Sequence, residues 1–127
     1  MKKLLIVDDD KILLKIFKDT VINNYAEKYE VEVAEDGLEA LTKTEEFKPD
    51  LIVLDIRMPK MDGIEFLREL QKRNDGKQNT PVLISTNFSD TEKISEGLEL
   101  GIKGYVMKSD YSLGEILKKV DSLLGID

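Results

Sequence analysis

Five polar side chains stand just past the ends of short apolar runs, and they are the groups with which this chain can do chemistry. Leu51 to Leu54 is uninterruptedly apolar and ends in Asp55. Residues 4–7 end in Asp8 and Asp9, the fourth such run ends in Thr86, and Tyr105-Val106-Met107 ends in Lys108. An apolar run bounded by turn signals reads as a strand buried on both faces. Open α/β sheets bind their ligands at the carboxyl ends of such strands. A carboxylate nucleophile, a pair of acids, a hydroxyl donor and an ammonium are the parts that phosphoryl transfer needs. Asp55 reads as the nucleophile, the group that accepts a phosphoryl.

The acids converge only if the first and third strands are neighbours, as they are in a sheet ordered 2-1-3-4-5. Two unit charges ~4 Å apart then repel by roughly 4 kcal/mol at an effective dielectric of 20. Either a carboxylate has a raised pKa, or a cation sits among them, or the three are solvated strand ends and helix caps. The chain has no histidine and no cysteine, so a cation site here is made of hard oxygens. That donor set suits Mg²⁺, or Mn²⁺, rather than zinc.

The elements that must hold these groups follow from periodicity. Residues 2–7 predict a strand. Asp10 is placed to cap a helix running to residue 24, with Leu13, Ile16, Phe17 and Val21 as its apolar stripe and Ile12 and Leu14 beside it. Residues 30–34 alternate and predict an edge strand. Asp36-Gly37 opens a helix with Leu38, Leu41 and Phe47, which Pro49 stops. Residues 51–55 are the third strand, and 63–73 a helix carrying Ile64, Phe66, Leu67 and Leu70. A polar loop over 74–80 leads to a fourth strand over 81–86, with proline allowed at its start. The helix expected over 90–100 is weakly apolar (Ile94, Leu98), and Gly97 lowers its stability by ~1 kcal/mol. A fifth strand over 103–107 and a helix over 112–124, closed by Gly125, complete the pattern. Strand and helix alternate five times, which implies an α/β fold: a parallel five-stranded sheet, doubly wound with helices on both faces. The 127 residues suit one domain, and no second domain is expected.

Composition excludes several classes. A net charge of -7 argues against a nucleic-acid-binding surface. Without histidine, no histidine-based triad or metal site can form within the chain. The absence of cysteine excludes a disulfide framework and fits a cytoplasmic setting. No apolar run approaches a membrane span, and Asp8-Asp9-Asp10 cuts the first run too short for a signal peptide.

The motifs Leu5-Ile6-Val7-Asp8-Asp9-Asp10, Asp55-Ile56-Arg57-Met58-Pro59-Lys60-Met61-Asp62-Gly63, Pro81 to Thr86 and Gly104-Tyr105-Val106-Met107-Lys108, in this order, carry a resemblance. From about Lys2 to Leu124 the chain resembles the receiver domain of bacterial response regulators, the phosphoacceptor half of two-component signalling. The resemblance implies a flavodoxin-like fold with strand order 2-1-3-4-5. It implies that Asp55 is phosphorylated, and that Asp8, Asp9, Asp55 and the backbone carbonyl of Arg57 ligate Mg²⁺. Thr86 would bind a phosphoryl oxygen, Lys108 would pair with the phosphoryl group, and Tyr105 would be an aromatic switch. Arg57 and Phe88 sit where the family tunes phosphoryl lifetime. The domain would be a signalling module rather than an enzyme. Its donor would be a phosphohistidine on a sensor histidine kinase or histidine phosphotransfer protein, and its output surface helix four, strand five and helix five. A monomer is expected, with dimerisation on phosphorylation common in the family.

The sequence departs from the family at Ser109, where proline usually follows the lysine, commonly after a cis bond. Either the Lys108–Ser109 bond is trans and Lys108 is aimed differently, or the site holds strain. Asn87 replaces a small residue and would crowd the rim or add a hydrogen bond. Ile12 and Leu14 either help dock the phosphoryl donor or widen the core stripe. The weak fourth helix is either a movable element or a marginal surface helix. Two competing classes stay open. One is a haloacid-dehalogenase-like phosphatase, for which Asp8-Asp9-Asp10 supplies an Asp-x-Asp but Ile12 stands where threonine is expected. The other is an unphosphorylated receiver-like scaffold.

Overall fold

The computed structural model describes residues 1–73, 80–87 and 91–126. Within them five strands and five helices alternate: β1 (Lys2–Val7), α1 (Lys11–Asn24), β2 (Tyr29–Ala34), α2 (Gly37–Phe47), β3 (Leu51–Leu54), α3 (Gly63–Arg73), β4 (Val82–Thr86), α4 (Thr91–Glu99), β5 (Gly104–Met107) and α5 (Leu113–Leu124). All strands pair in parallel, in the order β2-β1-β3-β4-β5. The fold is the flavodoxin-like α/β sheet that the alternation implies, and β2 is an edge strand. The expected polar loop over 74–80 falls outside the described residues except for Thr80, as does the expected start of the fourth helix at Asp90.

Strand side chains alternate between faces, so each strand feeds two cores. Leu5, Val7, Ile52, Leu54 and Ile84 pack with residues of α2, α3 and α4. Leu4, Ile6, Leu51, Val53, Leu83 and Val106 pack with α1 and α5. Phe17, Val21, Ile116, Leu117 and Val120 supply the helical side of this second core.

Four of the helices start on side-chain caps. Asp10 Oδ1 accepts from the backbone N–H groups of Ile12 and Leu13, both at 3.1 Å, and Asp36 Oδ1 accepts from that of Glu39 at 2.8 Å. Asp62 with Glu65 and Ser112 with Glu115 form reciprocal capping boxes at the starts of α3 and α5. These bonds satisfy helix N–H groups that have no partner inside the helix.

Three expectations about faces need correction. On α1 the buried residues are Leu14, Phe17 and Val21, whereas Ile16 is half exposed. Leu14 therefore belongs to the core and cannot dock a partner. Ile12 beside it is 73% exposed. Apolar residues at 12, 13, 14, 16, 17, 21 and 22 wrap most of the helix, so spacing alone cannot say which stripe faces the sheet. Leu38 on α2 and Leu98 on α4 are likewise exposed; Ala40, Leu41 and Ile94 hold the inner positions. Gly97 is more than a weak point in α4. It is buried, and an added Cβ would lie 3.0 Å from a terminal methyl of Ile84 and 3.2 Å from one of Ile102. Its missing side chain lets α4 sit close on the sheet.

Candidate functional site

Strand register brings the sequence-predicted groups to one edge. Val7 pairs with both Ala34 and Leu54, and Leu54 with Ile84. Asp8 and Asp55 each lie one residue beyond these pairs. Their backbone N–H groups continue the ladder, donating to the carbonyls of Ala34 (3.0 Å) and Val7 (2.9 Å). Thr86, the last residue of β4, pairs with Met107, one residue before Lys108. Carboxylate oxygens of Asp8, Asp9 and Asp55 all come within 4.8 Å of one another.

Asp8 and Asp55 are buried, 3% and 6% exposed, while Asp9 is open to solvent. The two buried acids share the ammonium of Lys108. Its Nζ donates to Asp8 Oδ2 and lies 3.3 Å from Asp55 Oδ2. Asp8 is oriented from its other side, since its Oδ1 accepts the N–H of Asp10 at 2.9 Å. The cost of this sharing falls on Asp55. Burial pushes its carboxyl up to about 6; the Lys108 charge and hydrogen bond pull down, and the charges of Asp8 and Asp9 push up. Burial works against the Lys108 ammonium too, but its hydrogen bond to Asp8 and the charges of Asp55 and Asp8 hold it above its ordinary value.

The Lys108–Ser109 peptide is trans. Lys108, Ser109 and Asp110 form a single 3-10 turn. With that bond trans, the lysine still reaches both buried carboxylates, which answers the question that Ser109 raised.

Behind Asp55 the loop to α3 packs tightly on the strand end. The N–H of Gly63 donates to the carbonyl of Ile56 at 2.7 Å. A Cβ at Gly63 would lie 2.4 Å from the Asp55 carbonyl oxygen, so only glycine lets α3 begin there. Lys93 on α4 sits 3.5 Å from Asp62 in this loop, tying α4 to the same edge.

The other predicted residues are placed as follows. Thr86 is fully buried and shares the strand parity of Ile84, on the α2/α3/α4 side. Tyr105 is 48% exposed and points outward from β5. Arg57 is exposed in the loop after Asp55, and Asn87 is exposed directly after β4. Phe88 lies outside the described residues. Sequence reasoning passed over Ser85. It shares the parity of Leu83, facing α1 and α5, and is buried beside Lys108. The alternation Leu83–Ser85 was the available signal.

Two carboxylates sharing one ammonium, with Asp9 beside them, leave surplus negative charge in a partly buried pocket. Hard oxygen donors at these separations fit a divalent cation of the Mg²⁺ class. Among the described residues, no helix is long and apolar enough to cross a membrane.

Comparison with known proteins places this geometry. The sequence model described as "Response regulator receiver domain" matches residues 4–121. The alkaline phosphatase synthesis transcriptional regulatory protein PhoP of Bacillus subtilis is 38% identical over 97% of this chain and 48% of its own length. The transcriptional regulatory protein YdfI of the same organism is 34% identical over 88% of this chain and 50% of its own. The chain thus spans about half the length of these curated relatives. Among solved structures, the receiver domain of the Francisella response regulator 1452 superposes with a TM-score of 0.82 at 36% identity, covering 98% of both chains. The chemotaxis protein CheY4 of Vibrio cholerae gives 0.82 at 34%, covering 96% of this chain and 98% of that one.

Proposed function

Since this chain belongs to the response regulator receiver domain family, we propose that residues 1–127 act as a receiver unit in which Asp55 accepts a phosphoryl group. The observation that carries the reading is the sharing of one ammonium, Lys108, by the buried carboxylates Asp8 and Asp55. A structural ion pair needs one acid, and the second is poised to react. An Asp55 carboxylate oxygen attacks phosphorus in line. The new P–O bond makes an acyl phosphate as the P–N bond of a phosphohistidine breaks. The electron pair of that bond returns to the imidazole nitrogen, which takes a proton on leaving. These 127 residues hold no histidine, so the phosphohistidine lies outside them. Lys108 neutralises the incoming oxygens, and the Thr86 hydroxyl donates a hydrogen bond to one of them. Asp8, Asp9, Asp55 and the Arg57 carbonyl would hold Mg²⁺, which when bound offsets charge on the transferring group. The chain's own contribution is positioning and electrostatics.

The phosphoryl group adds about -1.5 to -2 charges. Drawing Thr86 and Lys108 towards it shifts α4 and lets Tyr105 turn inward, so α4, β5 and α5 present an altered surface to a partner protein. Moving such an equilibrium from 1:99 to 99:1 takes about 5.5 kcal/mol of differential stabilisation, which a few charge-assisted hydrogen bonds approach. Ile12, exposed on α1 near Asp9, is placed to touch the donor protein. Arg57 and Phe88 shield the acyl phosphate from water, so Arg57→Ala and Phe88→Ala shorten its half-life; an unchanged half-life removes them from this role.

The test is intact mass after incubation with Mg²⁺ and a small acyl phosphate. One added phosphoryl group on the native chain, and none on Asp55→Ala, is the expected result. No adduct on the native chain at any sampled time would favour a binding scaffold instead.

A further inference from the structure

We infer that a cavity of about 150 Å³ between the sheet and the α1/α5 layer is a binding site for a small neutral phenol. Phe17 of α1, Val53 of β3 and Ile116 of α5 give it apolar walls. An apolar cavity of about this volume accepts one benzene-sized ring. Tyr111 also lines it and is 38% exposed, which connects the space to solvent.

The polar requirement comes from Ser85. Its position on β4 turns its side chain to the same face as Leu83, into this cavity. It is only 5% exposed, and its hydroxyl has no hydrogen-bond partner among the described residues. Buried polar groups are almost always paired, so an orphan hydroxyl facing a ring-sized space marks the place of a ligand's polar atom. Asp8 and Lys108 form part of the wall but are already paired with each other. A carboxylate ligand would face Asp8 and a cationic one Lys108, and neither would find a free counter-charge. One aromatic ring with one hydroxyl, exchanging a hydrogen bond with Ser85 Oγ, satisfies every group in the cavity. Because Lys108 is a wall residue, anything that repositions it changes the affinity of the ligand, and the ligand biases Lys108 in return.

The test compares phenol with toluene, which has the same number of heavy atoms but no hydroxyl. Each is titrated into the full chain and into Ser85→Ala, in metal-free buffer, with backbone amide shifts as readout. The expected result is saturable shifts at Phe17, Val53 and Ile116, with phenol bound about fivefold more tightly than toluene, the worth of one hydrogen bond. Ser85→Ala removes a single atom. It should still bind toluene but lose the preference for phenol. The inference is overturned if those amides show no saturable shift, or if the preference for phenol survives in Ser85→Ala. Neither titration involves phosphorylation, so its outcome is separate from that of the Asp55 experiment.

Discussion

The sheet carries a carboxylate–lysine cluster at each end, half-buried at one and buried at the other, and the two are made of nearly the same parts. At the amino-terminal edge, where β2 begins, Asp121 of α5 accepts from Lys28 at 2.9 Å and from the hydroxyl of Tyr29 through its other oxygen. Burial, the Asp121 hydrogen bond and the Asp121 charge together hold the Tyr29 phenol above its usual range, so it stays a protonated donor. One acid meets one ammonium and one neutral donor, and every group is matched. At the carboxyl edge two acids share a single ammonium with a third acid close by, and the most encumbered of them, Asp55, is pushed up to about 6. The matched cluster holds the fold together. The mismatched one stores an electrostatic deficit that a cation can relieve.

Neutralising an acid should therefore have opposite consequences at the two ends. The largest contrast is chemical: Asp55→Ala loses all phosphoryl incorporation by intact mass, whereas the folded fraction of Asp121→Ala keeps it. In stability, Asp121→Ala leaves the Tyr29 hydroxyl and Lys28 without their acceptor and should lower the unfolding free energy by about 3 kcal/mol in urea titration. Mg²⁺ at about 100 times its dissociation constant should raise the stability of the native chain by about 2.7 kcal/mol and do little for Asp9→Ala. An equal gain in both would break the assignment of the deficit to this edge.

Asp55→Asn in metal-free buffer at pH 7 should stabilise the chain, by about 3 kcal/mol from the size of its pKa shift. The sign follows from proton linkage. The folded value, about 6, lies above the ordinary aspartate value of 3.8. Between them the native state binds more protons than the unfolded one, so native stability falls as pH rises through that window. The advantage of Asp55→Asn should be full above about pH 6 and vanish towards pH 4. A pH-independent advantage would mean that ionisation of Asp55 is not its source. Smallest is Ser112→Ala, which breaks the α5 capping box and touches neither cluster. It should cost about 1 kcal/mol and serves as the yardstick for an ordinary structural loss.

Much of this was legible in the sequence because punctuation and period agreed. Asp10, Asp36 and Ser112 mark helix starts that are all real caps, and each apolar run ended in the polar residue that now stands at the carboxyl edge. Spacing could not say which side of α1 is inside, because too many of its residues are apolar. Nor could it reveal that Gly97 is a contact, since that depends on how near Ile84 and Ile102 come. That Asp8 and Asp55 would share the one Lys108 ammonium was equally hidden. It depends on the N–H of Asp10 holding Asp8 in place, a detail of the turn after β1.

The two glycine contacts also have a meaning for how this chain can vary. At Gly97 the nearest obstacles to a Cβ are the tips of flexible side chains; at Gly63 the obstacle is the backbone oxygen of Asp55 itself. A lineage could drift through alanine at position 97 by trimming an isoleucine elsewhere, and so retune how α4 rests on the sheet. At position 63 no companion substitution can make room, because a carbonyl oxygen is present whatever the residue. That position is closed to exploration for as long as position 55 stays where it is, while the helix carrying the proposed output surface remains open to it.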